Sequence, residues 1–151
     1  MRFLIQVTKE ASVEAEGVCT GKIGRGFLVF IGVEDSDTEE ICERMVKKMT
    51  ALRIFEDEQG KTNLNLMQVG GELLIVSQFT LYADMRKGNR PSFVKAGSPD
   101  KAERLYRYAI SKCREAGYHT EEGSFGADMK VSLINDGPFT VMLDSHELFG
   151  N

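Results

Sequence analysis

The sequence predicts an α+β fold, in which a mainly antiparallel, barrel-like sheet forms a single domain, 1–151, with about two helices packed outside. Apolar residues alternate at period two in short runs near both ends of the chain, and two segments between them carry apolar residues at helical spacing. Strands are thus grouped and do not alternate regularly with helices, which favours this class. A chain of 151 residues that is 42% hydrophobic suffices for one core and is short for two.

The first third of the chain is predicted to be an antiparallel meander. Its four short runs are RFLIQVT, ASVEAEG, VCTGKIG and GFLVFIGV, punctuated by Glu16-Gly17, Gly21, Gly24 and Gly26. The segment GKIGRG is similar to a phosphate-binding loop, but it lacks Lys-Ser/Thr after the last glycine and leads into a strand. We therefore predict a hairpin turn there.

A helix is predicted behind Ser36-x-x-Glu39, which has the pattern of a capping box. It extends to about residue 52, with an apolar face of Ile41, Cys42, Met45, Val46, Met49 and Leu52. The acids at its start are interpreted as capping residues favoured by the helix dipole; they are Asp35, Asp37, Glu39 and Glu40.

The middle of the chain should supply a short strand at 52–55, an acidic turn at 56–60 and a buried strand at 72–76 that leads into Ser77-Gln78-Phe79-Thr80. A second helix is predicted from Pro99 or Asp100 to Ala116, with Gly117 as its stop. Its apolar face comprises Ala102, Leu105, Tyr106, Ala109, Ile110 and Cys113.

The last two strands flank Asn135-Asp136-Gly137-Pro138. Proline donates no N–H to a strand ladder, and Asn-Asp-Gly is turn chemistry, so the segment is predicted to be a loop.

Composition excludes several classes of function. A net charge of −4 gives no general attraction to nucleic acid, so any such contact must be local. Three widely spaced cysteines argue against a disulfide framework or a zinc site and fit a reducing cytoplasm. Neither a signal peptide nor a membrane span is expected, and no metal site or Ser-His-Asp arrangement is predicted around the two histidines, His119 and His146.

Two basic surfaces are predicted. The segment 85–97 contains Arg86, Lys87, Arg90 and Lys95 with no acid among them, and Phe93 lies between the charges. On the second helix, Arg104, Arg107, Ser111 and Arg114 lie opposite the apolar face. Such surfaces could bind phosphates and stack on a base, which indicates a small footprint on RNA; a solvated loop is the alternative for the first segment.

Three segments together resemble the D-aminoacyl-tRNA deacylases, also called D-tyrosyl-tRNA deacylases: VSQFTLYAD at 76–84, GNRPSF at 88–93 and SLINDGPFT at 132–140. LRIFEDEQGK, GGELL and FGADM extend the likeness over nearly the whole chain. Ser-Gln-x-Thr after a buried strand, followed later by Asn-x-Gly-Pro-x-Thr, is a specific combination.

The resemblance implies a cytoplasmic, homodimeric hydrolase that needs no cofactor, binds neither DNA nor membrane, and removes D-amino acids from tRNA. Ser77, Gln78, Phe79 and Thr80 would line the ester, with the Phe79 and Thr80 N–H groups placed for the oxyanion. A cis Gly137–Pro138 peptide would enter the partner's pocket, hold the substrate's amino group with backbone oxygens, and reject L-aminoacyl groups while admitting glycyl-tRNA. The tRNA 2′-hydroxyl would assist the reaction.

The same resemblance places Ala102 and Met129 in the pocket, whereas the phosphate contacts are expected, from their charge, on the basic residues named above. One departure concerns Gln6-Val7-Thr8-Lys9, where the family usually reads Gln-Arg-Val-Thr. The arginine thought to brace the Gly-Pro loop is absent, and Lys9 or Arg2 are candidates to replace it. A non-catalytic RNA-binding module and an esterase for other small esters remain open as alternatives.

Overall fold

The computed structural model describes residues 1–150, which form eight strands, three α-helices and one 3₁₀ turn. The strands are β1 Arg2–Ala15, β2 Val18–Ile23, β3 Gly26–Gly32, β4 Phe55–Glu56, β5 Thr62–Leu64, β6 Glu72–Ser77, β7 Thr120–Glu122 and β8 Met129–Asp144. The helices are α1 Glu39–Thr50, α2 Pro99–Glu115 and α3 Ser145–Phe149, and the 3₁₀ turn is Phe79–Tyr82.

The main sheet is mixed. Strand β1 pairs antiparallel with β2, β3 and β8, whereas β3–β6 and β6–β7 are parallel pairs. The parallel pairs arise because α1 and α2 each lie in a crossover between neighbouring strands. The predicted α+β class with helices outside a barrel-like sheet is confirmed. The parallel strand β7 was not predicted, because its three residues are too few to show an alternation of apolar and polar side chains.

A bulge in β1 closes the sheet towards a barrel. The register of β1 relative to β8 shifts on both sides of Thr8. On the other edge of β1, residues 2–8 pair with β3 and residues 11–15 pair with β2. The two predicted runs are therefore one bent strand, since a bulge bends a strand without ending it. At the closing edge, a Cβ on Gly21 of β2 would lie 2.9 Å from the carbonyl oxygen of Glu122 in β7.

The predicted meander is wrong beyond its first turn. Glu16-Gly17 does make a tight turn between β1 and β2, with positive φ at both residues, as a type I′ hairpin requires. Gly24-Arg25 is not a hairpin turn, because β2 and β3 lie end to end along the same edge of β1.

Helix α1 begins two residues later than the predicted capping box. The hydroxyl of Thr38 accepts the Ile41 N–H at 3.2 Å and caps the helix, so Ser36 is not the cap. The carboxylate of Asp37 is buried and binds the Met1 ammonium at 2.6 Å and the Glu34 N–H at 2.8 Å. Asp35 accepts the Ser98 N–H at the start of α2, so neither aspartate caps α1 as predicted.

The main core lies between the sheet and the pair α1 and α2, and it contains Phe3, Phe27, Met45, Leu73 and Leu105. Helix α2 has the predicted extent and apolar face, and Gly117 ends it in the left-handed region. Of the predicted strand 52–55 only Phe55 is in a strand, β4, which continues to Glu56 where the acidic turn was predicted to begin. The Arg53 side chain donates to the Asn63 carbonyl oxygen at 2.8 Å. Among residues 1–150, none of the helices combines the length and the apolar character needed to cross a membrane.

Candidate active site

A cavity of about 620 Å³ opens where β3 and β6 end, beside the start of α2. Its volume suits a small-molecule group such as an amino acid or a nucleoside. The lining residues are Ile31, Val33, Val76, Ser77, Gln78, Phe79, Phe93, Ala96, Gly97, Pro99, Ala102, Phe125, Gly126, Ala127, Asp128, Met129 and Val131. Five residues predicted to line the substrate site, from Ser77 to Phe79 together with Ala102 and Met129, thus meet in one cavity.

Parallel pairing places Ser77 and Gln78 at this opening. Ser77 is the last residue of β6 and lies opposite Ile31 of β3, and the Gln78 N–H donates to the Ile31 carbonyl oxygen at 2.8 Å. The carboxyl ends of parallel strands therefore open into the cavity, which is where ligands commonly bind in sheets of this kind.

The 3₁₀ turn carries the first backbone donors of the site. Among the residues that the structure describes, the Phe79 and Thr80 N–H groups donate to no protein acceptor, as expected for the first amides of a helical turn. The Gln78 amide nitrogen donates to the Thr80 hydroxyl oxygen. Thr80 itself is exposed and lies outside the cavity lining, so the structure places it at the rim.

Two aromatic rings form one wall of the opening. Phe79 and Phe93 meet edge to face with their centroids 5.0 Å apart, and Phe79 remains 52% exposed. The sequence placed Phe93 only within a basic loop. Its position at the cavity depends on the fold of the segment 83–97, whose Gly97 N–H donates to the carbonyl oxygen of Val33, the residue after β3, at 2.8 Å.

A second part of the lining is the loop that follows β7, for which the sequence indicated no role beyond the family resemblance of FGADM. Phe125, Gly126, Ala127 and Asp128 line the cavity between β7 and β8. Met129 is held beside them, since the Ser124 N–H lies 3.4 Å from its Sδ and a Cβ on Gly123 would come within 2.7 Å of that sulfur. The FGADM segment was the available signal for this wall.

The Gly137–Pro138 peptide is cis, as the resemblance implies, and both residues are exposed. They do not line the cavity of their own subunit. Residues 129–135 and 140–144 of β8 both pair with β1, so 136–139 leave the ladder as a local excursion. The two predicted strands on either side are in fact one strand.

Asn135 closes the base of this excursion. Its side-chain amide donates to the carbonyl oxygens of Val7 at 3.0 Å and Phe139 at 2.9 Å. The loop is therefore braced through the main chain of Val7, at the position where the family usually has arginine. Arg2 is bound elsewhere, to Asp144 and Leu81, and Lys9 is exposed, so Asn135 makes the bracing contacts considered for those two residues.

The predicted basic surfaces are partly neutralised. The Asp84 carboxylate, just outside the segment 85–97, accepts the Arg86 Nε–H at 2.9 Å and lies 3.5 Å from Lys95 Nζ. The hydrogen bond from Arg86 holds the pKa of Asp84 well below its usual range. Lys87 and Arg90 are exposed and have no acidic partner among residues 1–150.

On α2, Arg104 pairs with Glu39 at 2.6 Å and Arg107 with Glu103 at 2.7 Å. Glu39 belongs to the neighbouring helix α1, and Glu103 lies on α2 itself, one turn before Arg107. The predicted basic face of α2 is therefore less positive than its arginines alone would make it. Within residues 1–150, no group of three or more His, Cys, Asp or Glu side chains is arranged to hold a metal ion.

Comparison with known proteins identifies the family. Residues 4–144 match the family described as D-Tyr-tRNA(Tyr) deacylase. The chain is 52% identical over 149 residues to the D-aminoacyl-tRNA deacylase of Thermotoga petrophila, covering 99% of this chain and all of that protein. It is 54% identical over 143 residues to the D-aminoacyl-tRNA deacylase of Yersinia pestis, covering 95% and 99% of the two chains.

Solved structures have the same fold. A protein described as c-Myc DNA Unwinding Element Binding Protein superimposes with a TM-score of 0.90 at 39% identity, over 95% of this chain and 98% of that one. A probable eukaryotic D-amino acid tRNA deacylase has a TM-score of 0.83 at 20% identity, over 94% and 97%, and supports the fold alone. The predicted family is confirmed: the chain belongs to the D-Tyr-tRNA(Tyr) deacylases, hydrolases that act on the aminoacyl ester bond.

Proposed function

We propose that this chain deacylates D-aminoacyl-tRNA in the cavity beside the 3₁₀ turn, with the Phe79 and Thr80 N–H groups as the oxyanion donors. The observation that carries this assignment is the pair of unpartnered N–H groups at the end of β6, next to a cavity of suitable size. Preorganised donors of this kind contribute about 10²–10³ in rate each. Main-chain donors can therefore supply a large part of the catalysis without a side-chain nucleophile.

No side chain of the cavity supplies a nucleophile with its base. The lining contains no histidine, lysine or cysteine among residues 1–150, and its one acid, Asp128, pairs with Lys130 at 2.6 Å. A serine or threonine hydroxyl is a weak nucleophile without an adjacent base. The 2′-hydroxyl of the terminal adenosine, adjacent to the ester, is the group that assists the reaction.

Chiral selection is assigned to the Gly137–Pro138 loop of a second subunit. In its own subunit the loop is exposed and lies outside the cavity, and it sits on β8, which pairs with β1 on one edge only. Ile134 and Met142 of β8 are 49% and 46% exposed, which suits burial against another copy. The backbone oxygens of the loop would then hold the substrate's amino group in a homodimer that works in the cytoplasm.

A steric filter of this kind makes a prediction about glycine. Glycyl-tRNA and D-tyrosyl-tRNA should both be hydrolysed, while L-tyrosyl-tRNA and L-alanyl-tRNA persist, because only an L side chain would strike the loop. A pocket that selected D-residues through their side chains would treat glycine poorly, since missing apolar contacts cost about 1–3 kcal/mol. Released amino acid is measured for each tRNA under one set of conditions. Equal resistance of glycyl-tRNA and L-alanyl-tRNA would rule out the steric filter.

The same assay with a free D-tyrosyl ester separates the alternative functions. A non-catalytic RNA-binding module would bind the aminoacyl-tRNAs and release nothing from any of them. An esterase for other small esters would hydrolyse the free ester and not depend on tRNA. Release from D-tyrosyl-tRNA in clear preference to the free ester is expected.

Contacts with tRNA phosphates should fall on Lys87 and Arg90, because Asp84 already binds Arg86 and Lys95. Replacing both Lys87 and Arg90 by Ala should weaken tRNA binding and lower the slope of log K against log salt by about one for each phosphate that is no longer neutralised. Affinity is measured by filter binding at several salt concentrations. Exposed Lys47 and Lys48 on α1 provide a control with the same charge change. If the two double variants behave alike, the segment 85–97 is a solvated loop.

A further inference from the structure

Arg2 connects three parts of the molecule that the family assignment does not relate to one another. Its Nε–H donates to Asp144 Oδ2 at 2.7 Å, and its Nη1–H donates to the Leu81 carbonyl oxygen at 2.8 Å. The guanidinium also lies 4.6 Å from the centroid of the Tyr82 ring. One side chain of β1 thus holds the end of β8 and the end of the 3₁₀ turn at the same time.

The guanidinium is itself held firmly. Arg2 and Asp144 are partners in the register of β1 and β8, and Asp144 also accepts the His146 N–H at 2.9 Å. Burial alone would raise the pKa of Asp144, but the hydrogen bonds from Arg2 and His146 outweigh it, and the pKa is lowered. The Arg2 side chain is 35% exposed, so the ion pair is partly desolvated and the fork of donors is fixed in direction.

The contacts of Arg2 complete the support of the 3₁₀ turn. At its start, the Gln78 N–H is bound to Ile31; beneath it, a Cβ on Gly32 would lie 3.1 Å from the Leu81 Cβ, so the turn rests closely on β3. At its end, the Leu81 carbonyl oxygen and the Tyr82 ring are held by Arg2. Tyr82 also packs on Gly32, where a Cβ would lie 3.2 Å from the ring, and Arg2 supplies the hydrogen bond to the Leu81 carbonyl oxygen. Without that bond we expect the turn to shift, and with it the Phe79 and Thr80 N–H groups.

We propose that Arg2 is a positioning residue for deacylation, which acts through Leu81 and Tyr82 to fix the direction of the Phe79 and Thr80 N–H groups. This inference rests on the role proposed above for those two groups. Lysine cannot replace arginine here, because an ammonium on a flexible stem does not present two diverging donors and does not stack as a planar group. Misplacement of a catalytic group by about 1 Å can lower the rate by about 10²-fold.

The test compares Arg2→Met, Arg2→Lys and Arg2→Ala with Arg25→Met. Arg25 is a matched control, since its guanidinium stacks 5.1 Å from the centroid of Phe55, outside the cavity lining. With D-tyrosyl-tRNA, the Arg2 variants should lose about 10- to 100-fold in kcat, with KM nearly unchanged, at a temperature well below their measured Tm. Arg25→Met should keep its kcat. Methylguanidinium at millimolar concentration should restore part of the kcat of Arg2→Ala, whereas methylammonium should not.

The ¹⁵N amide signals of the turn test separately whether Arg2 positions the turn and whether the Phe79 and Thr80 N–H groups take part in the reaction. In protein labelled with ¹⁵N-phenylalanine or ¹⁵N-threonine, the Phe79 and Thr80 amide signals should shift in the Arg2 variants and stay in place in Arg25→Met. If these signals do not move, Arg2 does not position the turn and the inference is wrong. If they move while kcat is unchanged, the role proposed for the two N–H groups in the reaction is wrong. The inference about Arg2 would also be wrong if the fall in kcat among the variants simply paralleled their fall in Tm and methylguanidinium restored none of it.

Discussion

A D-tyrosyl-tRNA that ends in 2′-deoxyadenosine should be deacylated about 10²–10⁴-fold more slowly than the normal substrate, the range that a positioned proton donor or acceptor supplies. The reason is that the cavity lining offers no base paired with a nucleophile, so the hydroxyl next to the ester is the group left to assist. Single-turnover rates with saturating protein measure the effect on the chemical step. Competition with unmodified tRNA shows whether binding of the modified tRNA is unchanged.

Replacing Thr80 in the protein should lower the rate of deacylation much less than removing the 2′-hydroxyl from the tRNA. Thr80 is exposed at the rim and bound to Gln78, so Thr80→Val should keep measurable turnover. A covalent adduct on Thr80, trapped by mass spectrometry during a single turnover, would show instead that its hydroxyl attacks the ester. A full rate on the 2′-deoxy substrate would show that a group other than the 2′-hydroxyl assists the reaction.

Mixed dimers should recover activity that neither parent possesses. One parent lacks Gly137 and Pro138, which removes the loop, and the other carries Ala127→Trp, which fills the cavity from its loop wall. Each homodimer should be nearly inactive, because every site lacks either the loop or the space for the substrate. In a mixed dimer, the intact loop of one subunit meets the intact cavity of the other. Random pairing of equal amounts should restore about a quarter of the sites, as follows from two-fold symmetry.

The mixture is made by refolding the two variants together, and native mass spectrometry confirms that mixed dimers form. If the loop served its own subunit, each mixed dimer would contain only incomplete sites and no activity would return. That outcome, with mixed dimers present, would remove the assignment of Gly137–Pro138 to the partner's cavity.

The sequence predicts α2 and the buried strand β6 well because both depend on local patterns. The helical spacing of the apolar residues in α2, its glycine stop and the continuous apolar run of β6 are each visible within about one element's length. Strand β7, the parallel pairs and the single bent β1 were missed, since a three-residue strand carries little periodicity and a bulge interrupts the alternation that identifies a strand. Thr38 was missed as the cap because Ser36-x-x-Glu39 has the pattern of a capping box, whereas in the structure the Thr38 hydroxyl accepts the Ile41 N–H.

By itself, the sequence determined the class of fold and the family, because these follow from local patterns and a specific combination of motifs. The family resemblance also indicated Ser77 to Phe79, Ala102 and Met129, which line the cavity in the structure. The tertiary structure decided which charges are free and what holds the loops. Asp84 neutralises Arg86 and Lys95, Asn135 braces the Gly-Pro loop at Val7, and Arg2 binds both Asp144 and Leu81. Hydrogen bonds and ion pairs form between atoms within about 3–4 Å, so residues distant in sequence acquire partners only when the sheet brings them together.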